Sequence, residues 1–328
     1  MTQIIYAMHP STIIKTKLFS GIIILFCFYF NSACGQSTSP LQQPAAAYKV
    51  KFTWLGDTVN AKWESYSALL IPVRLPGCPK QFYMQFDLGA PHSLFYKNTL
   101  RAIRAKYGQG IPATDTSPKL RDFTFLLGKQ KIFAKEIGVK DFGDTIISRD
   151  SKSITVIGTL GVDLIANKTV IINYPGKQLE VCDSIPPGIN AQVKLSSFMF
   201  IQNSILLPAL IRGKQSLLYF DTGSSAFELL TSKEICAALA KPNTSLVSYP
   251  VKSWGKTLTA NTVATADSLV LASQKLPIKF ATYIEGASDT QIQQMMKMGI
   301  GGMTGNKLFL NAILVLDTRN KKFGVISK

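Results

Sequence analysis

At 328 residues, 46% apolar and 17% charged, the chain is long enough for about two domains and too apolar for disorder, and no unbroken apolar run reaches the roughly 18 residues of a membrane-spanning helix. Two histidines and five scattered cysteines without a Cys-x-x-Cys pair exclude a multi-histidine zinc centre and dithiol chemistry. Thirty-six Lys and Arg against 19 Asp and Glu give a net charge of +17, spread along the whole chain: a basic surface open to anionic partners, with no nucleic-acid motif and no nucleic acid expected.

In chain order, Lys15 and Lys17 precede Leu18 to Phe30, an apolar stretch of 13 residues interrupted only by Ser20 and Gly21. The polar run Asn31-Ser32-Ala33-Cys34-Gly35 follows. This is the grammar of an export leader, over residues 1–34. Ser32-Ala33-Cys34 resembles a bacterial lipoprotein box, in which the cysteine is lipidated, so membrane anchoring through Cys34 is expected, with a plain secretory signal as the alternative. Residues 35–47, rich in Gln, Ser, Pro and Ala, read as a flexible tether.

The remainder divides into halves, 48–185 and 186–328, with the same order of signals. Lys80-Gln81-Phe82-Tyr83-Met84-Gln85-Phe86-Asp87-Leu88-Gly89-Ala90 lies over Lys214-Gln215-Ser216-Leu217-Leu218-Tyr219-Phe220-Asp221-Thr222-Gly223-Ser224 at an offset of 134 with no gap. Gly161 to Val181 lies over Gly305 to Val325 at an offset of 144, matching Leu164 with Leu308 and Val170-Ile171-Ile172 with Leu314-Val315-Leu316. Between these anchors each half carries a hairpin, Phe123 to Phe133 around Gly128 and Val251 to Asn261 around Gly255. A short helix is predicted over Ser232 to Ala240, and the rest reads as strands of four to eight residues. The prediction is a mainly β, duplicated architecture with short helices.

Thirteen aspartates and 23 glycines give roughly one Asp-x-Gly by chance, and three occur. Asp141-Phe142-Gly143 has neither the Gly-rich loop nor the His-Arg-Asp loop of a kinase and reads as a surface turn. Asp87 and Asp221 differ because each stands at the exit of an apolar strand, at equivalent points of the repeat.

These residues resemble the pepsin-like and retropepsin-like aspartic peptidases. Phe220-Asp221-Thr222-Gly223-Ser224-Ser225, with Met303-Thr304-Gly305-Asn306-Lys307-Leu308-Phe309-Leu310 downstream, carries the resemblance most strongly. Phe86-Asp87-Leu88-Gly89-Ala90 and Thr159-Leu160-Gly161-Val162-Asp163-Leu164-Ile165 repeat it more loosely, and the coverage runs from about Tyr48 to Lys328. The resemblance implies two six-stranded β lobes in one chain, a cleft between them, and one catalytic aspartate from each lobe, Asp87 and Asp221. It implies supporting roles for Gly89, Thr222, Gly223 and Ser224, no cofactor and no metal, and a peptide or protein substrate taken by a monomer.

The chain departs from the family pattern in two places. Thr222 can bond across to the other loop and Leu88 cannot; Ser224 can support Asp221 and Ala90 offers Asp87 nothing. This predicts that Asp87 keeps the shared proton and that Asp221 is the more readily ionised. The candidate flaps over the cleft are the hairpin of Phe125 and Gly128, which lacks the family's tyrosine, and that of Trp254 and Gly255. His92 is expected to make a structural hydrogen bond in its loop, and Cys78 with Cys182 is the favoured pair if a disulfide forms. The rival to a peptidase is a binding or structural lipoprotein of the same fold with an inactive dyad; a basic module for anionic lipid or polysaccharide is a third reading.

Overall fold

The computed structural model describes residues 41–108, 110–112, 117–148, 150, 153–253, 256–286 and 299–327. Cys34, Trp254 and Gly255 lie outside the described residues. Among those described, no helix is long and apolar enough to cross a membrane.

The first half opens with β1 (Leu41–Gln42), β2 (Tyr48–Lys51) and the hairpin of β3 (Thr53–Val59) and β4 (Lys62–Arg74), then β5 (Phe82–Phe86), with Asp87 at its exit. It continues through β6 (Leu94–Tyr96), α1 (Lys97–Tyr107), the hairpin of β7 (Lys119–Leu127) and β8 (Gln130–Lys140), β9 (Val156–Leu160), β10 (Thr169–Asn173) and β11 (Gln178–Cys182). The second half follows with α2 (Pro187–Asn190), β12 (Ser196–Ser197), β13 (Met199–Ile201), β14 (Ser204–Ile211) and β15 (Lys214–Phe220), with Asp221 at its exit. Then come β16 (Leu229–Thr231), α3 (Lys233–Leu239), the hairpin of β17 (Val247–Ser253) and β18 (Lys256–Ala264), β19 (Ser268–Leu271) and β20 (Gln274–Pro277). The chain ends on β21 (Phe280–Glu285), β22 (Ile300–Thr304), β23 (Ala312–Asp317) and β24 (Lys322–Ser327).

The two aspartates are placed by the same local device. In β5 the alternating Phe82, Met84 and Phe86 are wholly buried, and in β15 Leu218 and Phe220 are. Each of these strands lies parallel to a partner from the end of its own half. Met84 pairs with Gly158 and Phe86 with Leu160; Leu218 pairs with Gly302 and Phe220 with Thr304. These registers reproduce the 134- and 144-residue offsets of the sequence repeat. Only glycine fits at Gly158 and Gly302, where a Cβ would lie 2.2 Å from the Leu94 carbonyl oxygen and 2.4 Å from that of Leu230. The chain therefore crosses close to its own backbone in both lobes, and each aspartate emerges beside that crossing.

The bilobal, duplicated β architecture is present, with larger sheets than the expected six strands per lobe. The first lobe holds an eight-stranded sheet, β1-β8-β6-β9-β5-β4-β3 with β7 bridging β4 and β8, and the second a ten-stranded sheet, β17-β18-β21-β16-β22-β15-β14-β19-β20 with β13 on β14. The closing hairpins of the two halves join in a third sheet of six strands, β12-β24-β23-β10-β11-β2. There β10 and β23 pair antiparallel, Thr169 opposite Asp317 and Ile171 opposite Val315. Val170, Ile172, Leu314 and Leu316 bury one face of that sheet, while Ile171 and Val315 bury the other, which is why both strands read as unbroken apolar runs. The shared sheet fixes the lobes relative to one another.

Two expectations need correction, the tether and the disulfide, and two others agree with the structure. The presumed tether joins the fold from Leu41 onwards: Leu41 is 3% exposed and pairs with Ala134, and Gln43 Nε2 donates to the Leu164 carbonyl at 2.5 Å. An apolar side chain and an amide with a fixed partner leave little freedom there. Cys78, Cys182 and Cys236 are all free, so the favoured Cys78–Cys182 disulfide is absent; Cys78 sits in the turn after β4 and Cys182 ends β11 in the shared sheet. The helix at 232–240 is α3, capped by Ser232, whose hydroxyl accepts from the Ile235 N–H at 3.3 Å. Asp141 is a surface turn residue paired with Lys97 at 3.2 Å, as its sequence context implied.

Candidate active site

Asp87 and Asp221 leave their strands under matching restraint. The Asp87 N–H donates to the Leu160 carbonyl at 2.9 Å and the Asp221 N–H to the Thr304 carbonyl at 3.0 Å. Both side chains are 0% exposed. Asp87 Oδ1 accepts from the N–H groups of Gly89, 2.9 Å, and Ala90, 3.2 Å. Asp221 Oδ1 accepts from the Gly223 N–H at 2.8 Å, and its Oδ2 from the Ser224 hydroxyl at 2.9 Å.

The glycines bring the two loops together. A Cβ on Gly89 would lie 2.3 Å from Asp221 Oδ1, and one on Gly223 would lie 2.5 Å from Asp87 Oδ1. Each loop thus packs its glycine against the carboxyl of the other lobe, and the two carboxyls face each other. Asp87 Oδ2 is buried with no hydrogen-bond partner among the described residues, and a proton shared with the facing Asp221 carboxyl would satisfy it.

Burial, followed by the facing Asp221 charge and the hydrogen bond that a protonated Asp87 donates to Asp221, holds the Asp87 carboxyl well above the usual carboxylate range. Burial raises Asp221 too. There the Ser224 hydroxyl, the Gly223 N–H, the Asp87 carboxyl and the Ser224 N–H all favour the ionised form and oppose the rise. The rise is therefore larger at Asp87, which has Leu88 and Ala90 beside it, than at Asp221, which has Ser224.

The cross-lobe lock is present in one direction. Thr222 Oγ1 accepts from the Leu88 N–H at 2.8 Å and donates to the Phe86 carbonyl at 2.9 Å. Leu88 is 0% exposed and packs into the apolar core instead of reaching across. Other groups add to the closure. The Tyr219 hydroxyl donates to the Gly89 carbonyl at 3.2 Å, and Asn203 Nδ2 to the Pro91 carbonyl at 3.4 Å.

Asn306 is a support that carried no assigned role in the sequence. Its Nδ2 donates to the Thr222 carbonyl, 2.9 Å, and to Ser225 Oγ, 3.0 Å, and its Oδ1 accepts from the Tyr174 hydroxyl at 2.8 Å. The signal was there: a buried asparagine stands where the first half has Val162. Tyr174→Phe should cost about 1–3 kcal/mol by leaving the Asn306 oxygen buried and unpartnered. Asn306→Leu should cost more, because it also takes the donor from the Thr222 carbonyl, and the double variant should cost little more than Asn306→Leu alone, as urea denaturation of the three variants would show.

A cleft of about 1210 Å³ opens beside this arrangement, on the Asp221 side. Gly223, Ser224 and Ser225 form its floor, Tyr249 and Val251 of β17 one wall, and residues 58–64 of the β3–β4 hairpin the other. The flap expected from Phe125 and Gly128 is elsewhere. Phe125 is 1% exposed, edge-on to Phe95 at 5.5 Å, and the Gly128 N–H donates to the Pro72 carbonyl at 2.8 Å. Leucines and phenylalanines fill that hairpin, and the core takes them. Tyr249 was overlooked because it lies well before the turn of its hairpin. His92 is exposed and does not line the cleft; its backbone packs against Gly161.

Among solved structures, the chain is similar to the crystal structure of an aspartic proteinase from Irpex lacteus. The TM-score is 0.51, with 12% identity, over 86% of this chain and 98% of that one. The fold is that of a pepsin-like proteinase. No family model matches the sequence, and no curated protein sequence matches it. Within the pepsin-like fold the two lobes differ in character: Thr222, Ser224 and Asn306 surround Asp221 with hydrogen-bonding groups, and Leu88, Ala90 and Val162 give Asp87 an apolar setting.

Proposed function

We propose that the chain is an aspartic endopeptidase that hydrolyses peptide bonds in extended polypeptides, with Asp221 as base and Asp87 as acid. The observation that carries this reading is the carboxyl pair itself. Two wholly buried acids, one from each lobe, face each other, and no ion pair to a cation touches either among the described residues. Such a pair holds one proton between two groups, which suits simultaneous acid and base work.

The steps balance without a cofactor. Asp221 takes a proton from a water whose oxygen bonds to the scissile carbonyl carbon, while Asp87 gives its proton to the carbonyl oxygen. The resulting gem-diol collapses as the Asp87 carboxylate takes the proton of one hydroxyl and Asp221 gives the proton it took from water to the amide nitrogen, breaking the C–N bond and restoring the pair. Edge strand β17, with Val247, Tyr249 and Val251 on the cleft, supplies main chain to which an extended substrate can add as a further strand. Export by the leader, with anchoring through Cys34, would place this activity outside the cytoplasm.

The deciding experiment is cleavage of a denatured, reduced protein between about pH 3 and 7 by the mature chain and by its Asp221→Asn variant. Cleavage by the first alone supports the proposal. No dyad-dependent cleavage at any pH would leave a pepsin-fold binding protein as the better reading.

A further inference from the structure

The cleft wall opposite β17 is an overgrown hairpin. β4 has 13 residues where β14, at the equivalent point of the second half, has eight. Its tip turns through Asn60 and Ala61, both left-handed at φ 51° and 56°. Beyond its own sheet, β4 packs against the 222–224 turn that follows Asp221 and against the 306–309 turn. The β7–β8 hairpin is committed to the core, so this second hairpin is the element that stands over the cleft from the first lobe.

One ion pair ties it down across the lobes. Lys307 Nζ lies 2.5 Å from Glu64 Oε2, with the side chains 22% and 17% exposed. Glu64 Oε1 also accepts from the Tyr66 N–H at 3.0 Å. Lys307 is rooted in the Asp221 loop, its own N–H donating to the Ser225 carbonyl at 3.1 Å. Asp57 stands directly across the ladder from Glu64, is 7% exposed, and has an Oδ2 without a partner among the described residues. Two acids facing each other in a hairpin repel, and Lys307 is the cation that offsets them.

We propose that Glu64 and Lys307 form a latch that holds the β3–β4 hairpin across the cleft, and that opening it determines which substrates reach the carboxyl pair. Long polypeptides require the hairpin to lift, whereas short peptides enter beside it. The kinetic consequence rests on the peptidase reading; the latch does not, and its test needs no activity.

Amide hydrogen exchange of the mature chain, read by mass spectrometry, gives that test. In Glu64→Gln and in Lys307→Met, exchange across residues 57–64 should rise about 5- to 30-fold, the change expected for a loss of one or two kcal/mol. Lys307→Met should give the larger rise, because it leaves Asp57 and Glu64 facing each other uncompensated. The double variant should exchange no faster than Lys307→Met, since the two changes remove one interaction. Unchanged protection in β10 and β23 confirms that the fold is intact. If cleavage is detected, Glu64→Gln should raise kcat/KM for a protein substrate more than for a short peptide. Unaltered exchange at 57–64 in both single variants, or additive effects in the double, overturns the latch whatever the cleavage assay gives. Faster exchange without any cleavage keeps the latch and removes the peptidase.

Discussion

Asp221→Asn and Asp87→Asn should each lower kcat/KM for protein cleavage by at least about 10³-fold, within the range that positioned acid and base groups supply. Their stabilities should nevertheless diverge with pH. The Asp87 carboxyl is held well above the ordinary range by burial and by the facing Asp221. Below about pH 4, both the folded and the unfolded chain carry that proton, and it has no effect on stability. As pH rises past that point the unfolded chain ionises while the folded one retains its proton, so stability falls until the folded group also titrates. Asp87→Asn removes this loss. It should therefore be more stable than the wild type at pH 7, by about 0.5–2 kcal/mol, and should show no such gain at pH 3. Asp221→Asn should gain less, because the Ser224 and Gly223 hydrogen bonds that favour the ionised carboxylate are weakened with it. The wild-type rate should follow a bell-shaped curve. Its acid limb comes from protonation of both carboxyls and its basic limb from loss of the shared proton, both belonging to the pair rather than to one residue. Thermal melts at the two pH values and a pH–rate profile test all of this. Full activity in either variant would end the case for a two-aspartate mechanism.

The repeat was legible in the sequence because ladder register and close backbone approach are local demands. Gly158 and Gly302 sit against carbonyl oxygens that leave no room for a side chain, so the spacing between strand, aspartate and glycine had to be kept in both halves. The asymmetry of the pair was legible for a related reason: the groups that set it, Leu88, Ala90 and Ser224, lie within three residues of their aspartates. What stands over the cleft was not. A hairpin's sequence shows that it turns but not where its tip comes to rest, and Gly128 comes to rest on Val50 and Pro72. The Glu64–Lys307 contact joins residues 243 positions apart, and no periodicity reports such a contact. Tyr174 and Asn306, 132 positions apart, meet for the same reason through the sheet that both halves build.

Thr222→Val should be the most damaging change that leaves both aspartates in place. The threonine is 0% exposed, and its hydroxyl serves two backbone groups of the opposite lobe, the Leu88 N–H and the Phe86 carbonyl. Valine keeps the shape and removes both bonds, leaving a donor and an acceptor buried without partners at about 1–3 kcal/mol each. Where both loops carry a threonine, the second lock would hold the loops while the first is lost. In this chain Leu88 occupies that place with its side chain in the core, so nothing replaces the lost contact. Thr222→Ser gives the contrast. It keeps the hydroxyl and loses one buried methyl, worth about 1 kcal/mol. By urea denaturation, Thr222→Val should be roughly 2–6 kcal/mol less stable than the wild type and Thr222→Ser only about 1. The effect on cleavage should be steeper than on stability. The strand that ends at Phe86 carries Asp87, and Gly89 already packs tightly against Asp221, so a shift of about 1 Å between the loops can cost about 10²-fold in rate. Equal stability of Thr222→Val and Thr222→Ser would mean that the hydroxyl does not join the lobes, and that the shared six-stranded sheet and the Tyr219 and Asn203 contacts keep the carboxyls together.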